Sequence, residues 1–225
     1  MRSSYFHTKK VTIIGTGHIF KLREKVRELI QDINPQAVCV ELDEGRYGAL
    51  LLGGRSFHPL ALLQRLIARV YHTIPGNDML GAVEGARDIG AKVFFIDQDI
   101  DDTKRRLSET FVSEFLNPLK VLRKVIFSPA LFLSRPRAIF SLEEAVKEFE
   151  RKPEKYRRLF GRAFPIFKKV LLDEREEYMA GNARKILESF DEIAIVTGAG
   201  HVASLRKLLA NFDVTVFSLT ELLGE

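Results

Sequence analysis

Two histidines stand in matching settings near opposite ends of the chain. Ile13-Ile14-Gly15-Thr16-Gly17-His18 returns as Val196-Thr197-Gly198-Ala199-Gly200-His201, each copy reading as a short apolar strand, a glycine-bracketed turn and a histidine opening a helix. The echo runs on: a β-branched residue follows each histidine (Ile19, Val202), and a Leu-Arg pair lies four and five places beyond (Leu22-Arg23, Leu205-Arg206). Glycine suits positions where backbone turns sharply or approaches a bound group, so these turns can hold His18 and His201 at the rim of a sheet. Glu41 and Asp97 join them as acidic residues standing where apolar strands end. Two imidazoles and a carboxylate can bind a divalent metal while leaving a position open for water or substrate. A metal so held lowers the pKa of its water and polarises a carbonyl, which makes hydrolysis of an amide or ester the natural reaction class. Metal-free catalysis by Glu41 and a histidine fits the same residues. Arg46, Tyr47 and Arg175 are candidates to bind a substrate carboxylate or stabilise an oxyanion. Each group has a plainer reading too: the arginines pair with nearby acids, the Tyr47 ring packs a helix, Asp97 caps the turn after its strand, and the histidines cap or pack.

The elements that must position these groups follow from periodicity. Lys10 to Ile14 reads as a strand, and Leu22, Val26, Leu29, Ile30 and Ile33 keep a helical period until Asn34-Pro35 ends it. Ala37 to Leu42 is apolar except at Glu41, as in a strand buried on both faces of a parallel sheet. Helices are predicted from Asp43 to Leu52, from Leu60 to Tyr71 and around Met79, Val83, Ala86 and Ile89, and a third strand over Lys92 to Ile96 precedes Asp97. Thr103 to Gly181 carries no convincing strand; it reads as helices, one opening on a capping box at Ser141 and Glu144. A helix from about Asp173 to Ser189, a strand over Glu192 to Val196, a helix over Ser204 to Ala210 and a strand over Val214 to Phe217 complete the chain. This alternation predicts an α/β fold: a mainly parallel sheet flanked by helices, with a large helical insertion before the last two strands. In such sheets ligands bind beyond the carboxyl ends of the strands, where His18, Glu41, Asp97 and His201 all fall.

Composition bounds the function. At 225 residues and 46% hydrophobic content, the chain reads as one domain, with an α/β core over 1–103 and 182–225 and a basic helical insertion over 104–181. From Lys104 to Leu172, 17 Lys and Arg face 7 Asp and Glu, a balance of +10; with +5 overall, the remainder carries −5. No nucleic-acid reading motif accompanies that charge, so nucleic acid is not an expected partner. Within residues 119–140, Lys120, Arg123, Lys124, Arg135 and Arg137 flank Val125-Ile126-Phe127 and Ala130-Leu131-Phe132-Leu133. That pattern fits an element touching an anionic membrane surface, or a helical cap with its charges in water. No run of about 18 apolar residues occurs, and Met1-Arg2-Ser3-Ser4 lacks a signal-peptide core, so a soluble cytoplasmic protein, at most peripheral to a membrane, is expected. The lone Cys39 excludes a disulfide framework and a thiolate zinc site. Nothing in the sequence specifies an oligomeric state.

Five segments occur in an order that resembles the TraB/PrgY family. They are Gly15-Thr16-Gly17-His18, Val40-Glu41-Leu42-Asp43-Glu44-Gly45-Arg46-Tyr47, Ile96-Asp97-Gln98-Asp99-Ile100 with Thr103, Leu172-Asp173-Glu174-Arg175-Glu176-Glu177-Tyr178-Met179-Ala180, and Gly198-Ala199-Gly200-His201-Val202. The resemblance covers about Val11 to Phe217. The family is grouped with Tiki and GumN proteins and, more distantly, with erythromycin esterase and ChaN-like proteins, which share two Gly-x-x-His turns and a glutamate. Tiki-type members are metal-dependent proteases, typically using manganese or cobalt, so the resemblance implies a divalent metal, with zinc also compatible, on His18, Glu41 and His201. From residue chemistry, catalytic roles are expected for Glu41, Arg46 and Arg175, and substrate contacts for Tyr47, Asp97 and Arg175. PrgY and TraB are linked to shutdown of a bacterial peptide pheromone, which implies a peptide substrate or ligand. Two departures stand out: Gln98 occupies a position where a basic residue is expected, and the sequence stops at Glu225 where many relatives continue into a hydrophobic membrane region. It reads either as a short soluble member or as part of a longer protein. The expected function is peptide hydrolysis; a non-catalytic module that sequesters a peptide, and a membrane-surface regulator, are the alternatives.

Overall fold

The computed structural model describes residues 8–17, 21–52, 76–99, 101–103, 105–106, 157–158, 161–162 and 165–224. His18, the helix expected over 60–71, the basic stretch 119–140 and the capping box at Ser141 lie outside them. Two compact units make up the chain: Met1–Asp99 with Glu176–Glu225, and Ile100–Arg175.

The first unit is built on five strands, β1 (Lys10–Thr16), β2 (Ala37–Val40), β3 (Lys92–Phe95), β4 (Glu192–Gly198) and β5 (Asp213–Phe217). They form one sheet in the order β3-β2-β4-β1-β5, with every pairing parallel. The α/β fold with a parallel sheet is therefore present. Helices α1 (Arg23–Ile33), α2 (Glu44–Leu51) and α3 (Asn77–Asp88) lie between the first three strands. After β3 come α4 (Pro165–Lys168), a π-helical turn (Lys169–Asp173) and α5 (Glu174–Leu187), and α6 (Ala199–Leu208) joins β4 to β5 before α7 (Leu219–Leu223).

Handedness distributes these helices. The connections from β1 to β2 and from β2 to β3 run one way along the sheet, while the connection from β4 to β5 runs the other way. Parallel crossovers are right-handed, so opposite directions put their helices on opposite faces. Side-chain alternation agrees: Val11, Ile13, Ala37, Cys39, Ile193 and Ile195 share one core with Met179, Ala180, Ala183 and Leu187 of α5 and Leu205 of α6. The intervening Ile14, Val38, Val40, Ala194 and Val196 are equally buried, the expected signature of a parallel sheet covered on both faces.

Helix boundaries follow local chemistry. Asn34 ends α1 in the left-handed region at φ 49°, directly before Pro35. Asp43 caps α2 by accepting from the Arg46 backbone N–H at 2.8 Å. The helix after β4 begins at Ala199 rather than near Ser204, because Gly198 is an extended N-cap (φ −62°, ψ 141°) that lets the strand enter the helix directly. His201 thus lies in the first turn of α6. Helices α1 and α3 meet at two glycines: a Cβ on Gly81 would overlap the Arg23 carbonyl oxygen, and one on Gly85 would sit 2.8 Å from that of Arg27. Ion pairs border this seam, Arg23 Nε to Glu84 Oε2 at 2.9 Å and Arg27 Nε to Asp88 Oδ2 at 2.6 Å.

In the second unit, Arg157 (2.9 Å) and Lys168 (2.5 Å) both bind Asp173 at the end of the π-helical turn, and Arg106 pairs with Glu174. No helix among the described residues is long and apolar enough to cross a membrane.

Candidate functional site

Because all five strands run the same way, their carboxyl ends define one edge of the sheet. Loops leave that edge in opposite directions on either side of the β2/β4 boundary, since β2 leads toward β3 and β4 leads toward β5. Such a switch point is where α/β sheets form ligand crevices.

Glu41 follows β2 at this boundary and continues its pairing, its N–H donating to the Val196 carbonyl at 3.0 Å. Alternation gives it the same face as Ala37 and Cys39, and gives Thr197 the face of Ile193 and Ile195. The two side chains meet: Thr197 Oγ1 donates to Glu41 Oε2 at 2.6 Å, and the Gly198 N–H donates to the same oxygen at 2.7 Å. Thr16 Oγ1 adds a 3.2 Å bond to the Thr197 carbonyl, tying β1 into the set. The other carboxylate oxygen, Oε1, lies 3.4 Å from His201 Nε2. On the far side of the ring, His201 Nδ1 is 3.0 Å from Glu176 Oε1. All three side chains are nearly buried, at 5% exposed for Glu41, 8% for His201 and 3% for Glu176.

The structure thus brings Glu41 and His201 together, and β1 delivers the chain to the same edge as far as Gly17, one residue before His18. Gly15 helps by having no side chain, for a Cβ there would stand 2.7 Å from Val202 Cγ2 and 3.7 Å from the Ala199 Cα, both on α6. Glu176 was not a sequence candidate. Its signal was present in the period of α5: Glu176, Met179, Ala180, Ala183 and Leu187 are spaced at 3, 4, 7 and 11, and all are buried. Arg175, the candidate beside it, belongs to the second unit, where its Nη1 approaches the Leu171 carbonyl at 3.4 Å.

Asp97, Arg46 and Tyr47 make a different group. Phe94 and Ile96 join the core beneath α5 and α6, whereas the alternate positions Phe95 and Asp97 meet α2. Arg46 Nη2 donates to Asp97 Oδ2 at 2.5 Å and Arg46 Nε to Asp43 Oδ2 at 2.5 Å. Asp97 Oδ1 also accepts from the Gln98 N–H at 2.8 Å. The basic contact that Gln98 does not supply to Asp97 therefore comes from Arg46. Burial works against the Arg46 charge, but Asp97 and Asp43 outweigh it and hold the guanidinium above its ordinary pKa. The Tyr47 ring lies 4.7 Å from Phe95, centroid to centroid, and its hydroxyl accepts from Arg87 at 2.8 Å.

Cys39 is the single thiol of the chain. It is fully buried in β2, and burial pushes its thiol up to about 12, so it stays protonated at neutral pH. Among the described residues, no group of three or more His, Cys, Asp or Glu side chains is arranged to hold a metal ion. Two donors do fit one. Ligands about 2.1 Å from a shared tetrahedral ion stand roughly 3.4 Å apart, the separation found between Glu41 Oε1 and His201 Nε2.

Comparison with known proteins extends this picture. An uncharacterized protein of Methanocaldococcus jannaschii is 26% identical over 222 residues, covering 90% of this chain and 54% of the relative. The chain thus spans about half the length of that curated protein. A family model described as TraB/PrgY/gumN matches residues 96–216, a span that includes Asp97, Arg175, Glu176 and His201. That match takes in more than half of the 225 residues and carries one wall of the buried cluster, and on it the chain belongs to the TraB/PrgY/gumN family.

Proposed function

We propose that this chain is a metal-dependent hydrolase acting on peptides, with Glu41, His201 and His18 holding a divalent cation. The observation that carries the reading is the 3.4 Å approach of Glu41 Oε1 to His201 Nε2, with the outer atom of each group already bonded. The third ligand is assigned to His18 by the repeated Gly-x-x-His pattern. Manganese or cobalt is expected from the family resemblance, and zinc is compatible with the same ligands.

The chain's own residues have definable tasks. Thr197 and Gly198 hold Glu41 Oε2 from two directions, so the carboxylate keeps Oε1 toward the histidine without losing side-chain freedom at the moment of binding. The start of α6 lies beside that carboxylate, where the partial positive charge of the helix end favours an anion. Bound cation supplies a Lewis acid that polarises a peptide carbonyl and makes water a nucleophile at neutral pH. Hydrolysis adds one water across the amide, leaving a carboxylate and an amine. Arg46 and Tyr47 are already engaged by Asp97 and Arg87, so they would meet a substrate through the donors those bonds leave open.

The test is metal content and peptide cleavage measured together on the purified protein and on its His18→Ala, Glu41→Gln and His201→Ala variants. Stoichiometric Mn²⁺ binding that all three variants lose, with new amine termini generated from a peptide mixture, supports the reading. Peptide binding without metal or cleavage replaces it with the sequestering module.

A further inference from the structure

We propose that Glu176 is a positioning residue of this site: it accepts the Nδ1 proton of His201 and thereby keeps the Nε2 lone pair aimed at Glu41 Oε1. The inference rests on the cation-binding reading for its purpose, while its geometric content stands independently.

A neutral imidazole has one N–H and one lone pair, and the hydrogen bond made by one nitrogen decides what the other offers. Glu176 Oε1 is 3.0 Å from Nδ1 and, as a carboxylate, can only accept, so the proton belongs on Nδ1. Nε2, 3.4 Å from Glu41 Oε1, is then the basic nitrogen. Two carboxylates facing opposite edges of one imidazole do not by themselves choose a tautomer. Distance makes the choice: Glu41 is held on the sheet through Oε2, with its Oε1 0.4 Å farther from its ring nitrogen than Glu176 Oε1 is from Nδ1.

Placement argues the same way. Glu176 is one turn before Met179 and Ala180, which belong to the apolar core, and only 2% of the residue is exposed. A carboxylate there is costly, and replacing a buried ion pair with apolar residues is often neutral or stabilising. Its presence on the buried face of α5 is therefore poorly explained by stability. A carboxylate behind a ligating histidine fixes ring orientation and raises ligand basicity, and loss of such a partner typically costs 10–100-fold in metal affinity.

The experiment compares the parent with Glu176→Gln and Glu176→Ala. Long-range ¹H–¹⁵N spectra of metal-free, histidine-labelled protein, taken above the pH at which the ring titrates, read the His201 tautomer. Mn²⁺ titration reads the affinity of each folded variant. The expected result is an Nδ1–H tautomer in the parent, kept in Glu176→Gln, whose amide oxygen still accepts, and lost in Glu176→Ala, with Mn²⁺ affinity falling about 10- to 100-fold in the Ala variant and less in the Gln variant. An Nε2–H ring in the parent overturns the proposal, as does a folded Glu176→Ala protein with the parental tautomer and affinity. If Glu176→Ala does not fold, the parent and Glu176→Gln spectra decide. A parent with the expected tautomer that binds no Mn²⁺ defeats the hydrolase reading and leaves the Glu176 assignment standing on its spectrum.

Discussion

Two groups of buried charge flank β2 at the same edge of the sheet, and they are put together on opposite logic. On the β3 side, Arg46 spreads its guanidinium across Asp43 and Asp97, both bonds at 2.5 Å, in a fork geometry that satisfies the cation with carboxylates alone. On the β4 side, His201 lies between Glu41 and Glu176, so whether the group contains a cation depends on where a proton or a metal sits. The first is a lock that joins α2 to the end of β3. The second has the adjustable charge that acid/base or metal chemistry needs. A polar residue at a strand end is therefore a poor indicator of a site unless its partners are known.

Substitutions can break that contrast. The largest effect is expected from Glu41→Gln, which keeps the shape but places an amide between Thr197, Gly198 and His201. Peptide cleavage should fall by roughly 10²–10⁴-fold and Mn²⁺ affinity with it, while circular dichroism stays parental; cleavage at the parental rate would remove Glu41 from the chemistry. Arg46→Met should behave conversely. It takes the guanidinium from Asp97, whose side chain is 0% exposed, and should cost about 3 kcal/mol, the low end for a broken buried pair because Arg46 keeps some solvent contact and Asp97 keeps the Gln98 N–H. Urea unfolding measures that loss, and Mn²⁺ affinity of the folded fraction should not change. If affinity collapses instead, the two groups are coupled and the contrast fails.

Gly15→Ala sharpens the comparison from the backbone side. The new methyl would meet Val202 Cγ2 at 2.7 Å, and a valine in a helix has essentially one rotamer, so α6 must shift and move His201 with it. A cost of roughly 1–3 kcal/mol is expected, together with weaker Mn²⁺ binding, and Val202→Ala in the same chain should restore both. Failure of that rescue would show that α6 does not set the histidine. The smallest effect belongs to the partly exposed Arg23 and Glu84 pair. The hydrogen bond from Arg23, the leading cause, lowers the Glu84 pKa below its ordinary 4.5, so its stabilisation is present above that value and is lost as pH falls through the lower folded-state value. Glu84→Gln should cost under about 1 kcal/mol at neutral pH, and its deficit should shrink in acid; a constant deficit would mean the charge is immaterial.

Local patterning and the folded structure agree closely where the information is local. The apolar runs at Ala37 and Glu192 became central strands, Asn34-Pro35 stopped α1, and parallel order followed from strands separated by helices. The paired Gly-x-x-His segments, with Glu41 between them, already marked one edge of the sheet. What the chain alone did not disclose was partnership. Glu41 and Asp97 look alike in sequence, each acidic and each just past an apolar strand, yet strand alternation and the β3-β2-β4-β1-β5 order send Glu41 to Thr197 and His201 and Asp97 to Arg46. Glu176 was hidden among Asp173, Glu174 and Glu177 because only the packing of α5 shows which carboxylate of the run is buried. Residue types and their periods are properties of the chain; the neighbour that gives a carboxylate its chemistry is 25 residues away for Glu176 and 160 for Glu41, across contacts that only the folded sheet creates.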